Sequence, residues 1–428
     1  MSELPRDARH LVTVFLASLA SLRRGAVRIR RGLREAGWLA LAVPVLSSLP
    51  GAPVNVYLDF DGHVEKAWGN YTNIVSPPYD RDGDLKSFSQ EEIESIREIW
   101  ARVAEDFSPF HINVTTLDPG DYSNGRGVHV VIGGHYADWY RIRVGGVSFA
   151  NSFVNSMPNV VYVFSRALGG GTPKYVADLV SHEVGHTFGL EEQSVYDETG
   201  RRLRDYNTGE SKLWGPLMGN SLAAPRSIWH YGASVTARTV QDDVAIIARS
   251  ENGFGFRPDD HADEASGGTA VGRGRAFRQG GVIGTLRDRD CFVFECEGGR
   301  INLRVDVAAM GPNLDAKLEL RTLNGEVLAI DDPDEALNCS LAADLPQGTY
   351  CAVVASHGSY GDLGQYTLAG SLKPDPSVKR VALFKSSRPT VEPGFDEPGS
   401  AAPGVVLASD KVEGGSAVTS PVAGPATR

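Results

Sequence analysis

The chain has 428 residues, a formal net charge of -11, 42% hydrophobic and 22% charged residues; such fractions belong to ordinary globular protein and exclude a chain dominated by disorder or collagen-like repeats. The charge is uneven: residues 1 to 50 carry eight arginines against three acids, a local +5 that leaves -16 for the remainder, which argues against nucleic acid as a partner of the folded part. The length admits two or three domains.

The N-terminus sets Arg6 and Arg9 before an apolar run (11 to 22), a basic stretch (23 to 34) and a second apolar run (37 to 46). Each run is too short for a stable membrane span, and a short apolar core behind positive charge has the makeup of an export signal; a basic amphipathic leader is the alternative. Residues 1–52 are therefore read as leader and linker, and the expected location is secreted/extracellular or on a cell surface, of a bacterium if the family resemblance given below holds. From Val54, "VNVYLDFDG" alternates apolar and polar residues up to a glycine turn and reads as a strand. Ser89 and Glu92 form a capping box that opens a helix carrying Ile93, Ile96, Trp100, Val103 and Phe107 on one face. Four more strands follow at 111–116, 127–134, 145–153 and 159–165. A second helix has Thr172 as N-cap, Pro173 in its first turn and Gly189 as terminator.

A third helix is expected over 239–249, then a Gly/Asp/Pro-rich boundary, then short alternating segments from 275 to 373 in a sandwich pattern. The expected fold is α+β, a mixed sheet with helices over 53–258, followed after a linker (259–274) by an all-β sandwich over 275–373. A Pro/Gly/Ser/Ala-rich tail, 374–428, reads as disordered. Cys291, Cys296, Cys339 and Cys351 all lie in the C-terminal third, without metal spacing; in an exported protein they form two disulfides in one of three pairings, or else remain buried thiols.

The chemistry concentrates in "SHEVGHTFGLEEQ", residues 181 to 193. Val176, Val180 and Val184 make the core stripe of the second helix, which turns His182 and His186, four apart, to the other side, where both can reach one ion. Glu183 lies beside His182, close enough to take a proton from water without ligating the ion. Gly189 lets the chain turn back towards the ion.

"HEVGHTFGLEE" with "PLMGN" (216 to 220) resembles the metzincin signature. More narrowly, "YLDFDGH", "IWARVAEDFSPF", "LMGNS" and "QDDVAIIA" resemble bacterial secreted matrixin- or reprolysin-like metalloproteases. The stretch 275 to 373 is similar to the bacterial pre-peptidase C-terminal domain. The resemblance implies His182 and His186 as zinc ligands, Glu183 as general base, Met218 in a turn beneath the site, and a polypeptide substrate lying extended along an edge strand in "GGVSFANSF". The chain departs from the pattern at the third ligand, where Glu192 replaces histidine. Glutamate is an accepted zinc ligand; Glu191 and His230 are the other candidates. The function that follows is a secreted zinc endopeptidase, and the alternative is a weakened or inactive scaffold acting as an extracellular binding module. The oligomeric state is left open.

Asp80, Asp82 and Asp84 alternate as in a calcium loop, with Glu91 at its twelfth place, but Leu85 stands where glycine is required; they are candidate calcium ligands against a polar turn. Asp59 and Asp61 read as a strand-end turn, and His63, His111, His129 and His135 lack ligand spacing.

Overall fold

A computed structural model describes residues 41–209, 212–236, 239–272, 275–375, 377–384 and 417–420. Most of the expected leader and much of the expected tail lie outside the described residues.

The α+β expectation is overturned. The described residues hold three α-helices, Gln90–Asp106 (α1), Pro173–Thr187 (α2) and Asp243–Ile247 (α3), against six sheets, so the described part of the chain is mostly β. Two physical reasons stand out. The segment read as a helix over 239–249 yields only α3, because Val240–Asp242 pairs as a strand with Tyr231–Ala233. The segments read as separate short strands in the C-terminal third merge: "CFVFEC" and "INLRVDV" are one strand, Arg289–Val307, with Gly299 at φ +140°, and Cys339–Ser356 is another. These two pair antiparallel along most of their length within one eight-stranded sheet.

The N-terminal sheet carries the site. Strands Val54–Asp59 (β1), Ile112–Thr115 (β4), Gly127–Ile132 (β5) and Val160–Val163 (β7) run parallel, and Gly146–Phe149 (β6) lies antiparallel beside β7. Between β1 and α1 the chain makes a hairpin of His63–Trp68 (β2) and Tyr71–Ser76 (β3), which had no counterpart in the sequence reading. Segment 417–420 adds antiparallel to the free edge of β6.

Alternation along the strands gives the sheet two apolar faces. Val56, Leu58, Val128, Val130 and Val161 pack against Ile96 and Val103 of α1 and Val176, Val180 and Val184 of α2, all fully buried. On the other face Val131, Val147 and Tyr162 pack against Trp68 and Ile74 of the hairpin. Each buried aliphatic side chain is worth about 1.5–3 kcal/mol, so the valine stripe anchors α2 firmly. The helix starts are as the sequence predicts in one case and partly so in the other: Ser89 and Glu92 form the reciprocal capping box of α1, whereas Thr172 sits at the N-cap of α2 with its hydroxyl donating to Gly169 O.

The first core runs on into the C-terminal sheet, where the end of α1 is bonded to it. Buried Glu105 accepts from Asn313 N and Gln365 Nε2, and Asp106 from Asn313 Nδ2 at 2.8 Å and Ser181 Oγ at 2.5 Å. Burial pushes both carboxyls up, Glu105 to about 7 and Asp106 to about 8. Cys291 and Cys351 form a disulfide, Cα atoms 6.2 Å apart, while Cys296 and Cys339 are buried thiols, so one pair forms instead of two. No helix among the described residues is long and apolar enough to cross a membrane.

Candidate metal centre

α2 ends where Gly189 takes φ +103°, and the chain turns back so that Glu192 faces the helix. His182, His186 and Glu192 then converge, all buried. The two imidazole Nε2 atoms are 3.0 Å apart, and the Glu192 oxygens lie 3.2 Å from His182 Nε2 and 3.5 Å from His186 Nε2. A four-coordinate ion about 2.0–2.1 Å from each donor spaces its ligands by about 3.3 Å, so the three donor atoms fit such an ion.

The tautomers agree with this. His182 Nδ1 lies 2.6 Å from Leu217 O and His186 Nδ1 lies 2.8 Å from Leu190 O. A carbonyl only accepts, so both Nδ1 atoms carry the hydrogen, and the neutral rings turn lone pairs on Nε2 towards the centre. Neither Glu192 oxygen is engaged in an aligned hydrogen bond. Burial would raise Glu192, but the two imidazoles facing it hold it down to about 2. Burial would likewise lower His182, but the Glu192 charge prevails and lifts it to about 9. The carboxylate thus stays ionised where the two rings meet it, the form in which it serves as a ligand to a divalent cation.

Glu183 is fully buried beside the triad and accepts a 2.7 Å hydrogen bond from Ser148 Oγ on edge strand β6. β6 comes this close because Gly146 has no side chain: a Cβ there would lie 2.7 Å from Glu183 Oε1. Met218 is fully buried beneath α2, its Sδ 2.8 Å from where a Cβ on Gly185 would stand, and its carbonyl accepts from Gln193 N. The same turn supplies the Leu217 carbonyl that orients His182.

The remaining candidates separate. Glu191 turns away to Thr236 Oγ1, and the His230 ring packs on Trp214, so neither joins the triad. Asp80 and Asp82 gather with Glu92, whose oxygens already bind Arg81 N and Ser89 N. Asp84 points instead to Ser87 Oγ and Lys86 N, and Glu91 pairs with Arg81. A further acidic group forms where 259–263 meets Asp288 and Asp290; burial and the neighbouring carboxylates raise these two to about 6 and about 8.

Ser148, Gly146 and the Leu190 and Leu217 carbonyls had no signal in the sequence, since strand neighbours and main-chain acceptors leave no spacing. Asp59, a strand-end residue in the sequence, and His63 and His129, which lack ligand spacing there, bring ligand atoms within 4.8 Å of one another.

No family model matches the chain, and no curated protein matches it. Among solved structures it is similar to the pre-peptidase C-terminal domain of a Bacillus anthracis collagenase (15% identity, 27% of this chain and 98% of that one, TM-score 0.20). It is also similar to PliG, a periplasmic inhibitor of g-type lysozyme, from Aeromonas hydrophila (14%, 24% and 95%, TM-score 0.20) and from Salmonella Typhimurium (18%, 25% and 98%, TM-score 0.18). Each likeness spans about a quarter of the chain at low overlap and carries no argument about function.

Proposed function

We propose that the protein is an exported bacterial zinc endopeptidase in which His182, His186 and Glu192 hold the ion and Glu183 handles the proton. The observation that carries this reading is the convergence of three donor atoms at 3.0–3.5 Å beside a carboxylate fixed by Ser148. A bound zinc ion supplies Lewis acidity, acidifying a water and polarising the scissile carbonyl. Glu183 takes the proton of the attacking water and returns it to the leaving amine, a role worth about 10²–10⁴-fold. Ser148 keeps its carboxylate pointed at that water. Glu192 adds a negative charge where a metzincin has a neutral imidazole, which tempers the acidity of the ion relative to three histidines.

Edge strand β6 supports a polypeptide substrate. Its outer side accepts segment 417–420 antiparallel, Ala417 opposite Phe149 and Ser420 opposite Gly146, the pairing mode an extended peptide uses on a sheet edge. A peptide on that edge passes Ser148 and therefore Glu183. Further support comes from the resemblance of "HEVGHTFGLEE" and the Met218 turn to the metzincin signature. The test is hydrolysis of an unfolded protein such as casein by the zinc-loaded chain: chelation and Glu183→Ala should each abolish it. Cleavage by Glu183→Ala at the parent rate would overturn the reading.

A further inference from the structure

The face of the N-terminal sheet opposite α2 carries a second set of metal-ligating side chains. β1 and β5 pair in parallel with Tyr57 opposite His129 and Asp59 opposite Val131. Alternation therefore puts Tyr57, Asp59 and His129 on the hairpin-covered face, with Val131. Gly62, at φ +86°, lets the chain fold tightly back from β1 into β2; a Cβ there would lie 2.9 Å from Pro78 N. The fold-back sets His63 over His129.

Asp59 Oδ2 lies 2.8 Å from His129 Nε2, both residues being buried. The His63 and His129 rings meet with centroids 4.6 Å apart at 79°, nearly the arrangement of His182 and His186, 4.7 Å and 83°. In each case a carboxylate adjoins two crossed imidazoles. Tyr122 stacks on His129 at 4.8 Å and walls the cluster. Negative charge accumulates here: Glu65 Oε2 is 3.5 Å from His63 Nε2, and Asp61 and Asp118 stand close by. No lysine or arginine among the described residues forms an ion pair with Asp59, Asp61, Glu65 or Asp118.

We infer that Asp59, His63 and His129 form a second divalent-cation site of the zinc class, separate from the centre on α2. The two-imidazole, one-carboxylate donor set suits zinc or cobalt and leaves a fourth position open. His63, the partly exposed member, closes on the ion by side-chain rotation. The bound ion ties β1, β5 and the β2–β3 hairpin together, a structural role.

The test is metal stoichiometry on the full chain, with Zn²⁺ or Co²⁺ alone as probe. Wild type should bind two ions, His63→Ala and Asp59→Asn one each, and His182→Ala/His186→Ala one. Co²⁺ retained by His182→Ala/His186→Ala should give a visible d–d spectrum that disappears on adding His63→Ala. His63→Ala should keep its hydrolytic rate and unfold at a lower temperature in zinc, and the near-isosteric Asp59→Asn guards against simple misfolding. One ion per wild-type chain, lost with the α2 histidines, would overturn this site and leave the proposed function standing. So would two ions in both His63→Ala and Asp59→Asn.

Discussion

Two histidine pairs occupy opposite faces of one sheet with almost the same ring geometry, yet their surroundings differ. His182 and His186 come from one helix, and beside them lie a dedicated carboxylate, Glu183, and an edge strand able to take a peptide. His63 and His129 come from different strands, His63 from the hairpin and His129 from the sheet beneath it, and lie among further carboxylates and tyrosines. The difference teaches that converging donors alone describe a place for an ion. In the proposed reading, a carboxylate held beside the ion and a strand edge that pairs with an extended segment are what turn such a place towards hydrolysis.

That contrast can be broken by mutation. The largest effect is expected from His182→Ala/His186→Ala, which should eliminate casein hydrolysis altogether, while His63→Ala leaves the rate unchanged; equal losses in the two would dissolve the contrast. Glu183→Ala should keep its zinc, as read by metal analysis, and lose about 10²–10⁴-fold in kcat. Ser148→Ala should cost roughly tenfold to a hundredfold in kcat, the usual range for partners that orient a metal site, with zinc content unchanged; an unaltered rate would remove Ser148 from the mechanism. Glu192→His should hold or raise activity, and an unaltered zinc affinity in both Glu192→His and Glu192→Ala would remove Glu192 from the ligand set.

A stability measurement against pH serves as a control that separates both clusters from the general titration of the fold. Glu105 and Asp106 have folded pKa values raised to about 7 and about 8, so the folded chain holds protons that the unfolded chain releases. Their stabilisation is complete below the ordinary carboxylate range near pH 4 and declines as pH rises towards 8, by about 1.4 kcal/mol per proton per pH unit. Melting temperatures of the metal-free chain should fall across that window, and Asp106→Asn should flatten the fall.

What could be read from the sequence follows the range of each interaction. The i, i+4 histidines, the valine stripe and the Gly189 turn are local, so the approach of Glu192 could be anticipated. Ser148 reaches Glu183 across 35 positions and His129 reaches Asp59 across 70, through strand register that no spacing encodes. The balance between helix and strand is hidden for a related reason. Period-2 alternation marks strands but not their continuity, so the sequence alone neither joins the two halves of Arg289–Val307 nor marks the β2–β3 hairpin.

The central claim is that one cation sits among His182 Nε2, His186 Nε2 and Glu192. An anomalous difference map at the zinc edge, from crystals of the zinc-loaded chain, tests it most directly. The account predicts a peak about 2.0–2.2 Å from all three residues. A map with no peak between the two imidazoles, from crystals that contain zinc elsewhere, would contradict it.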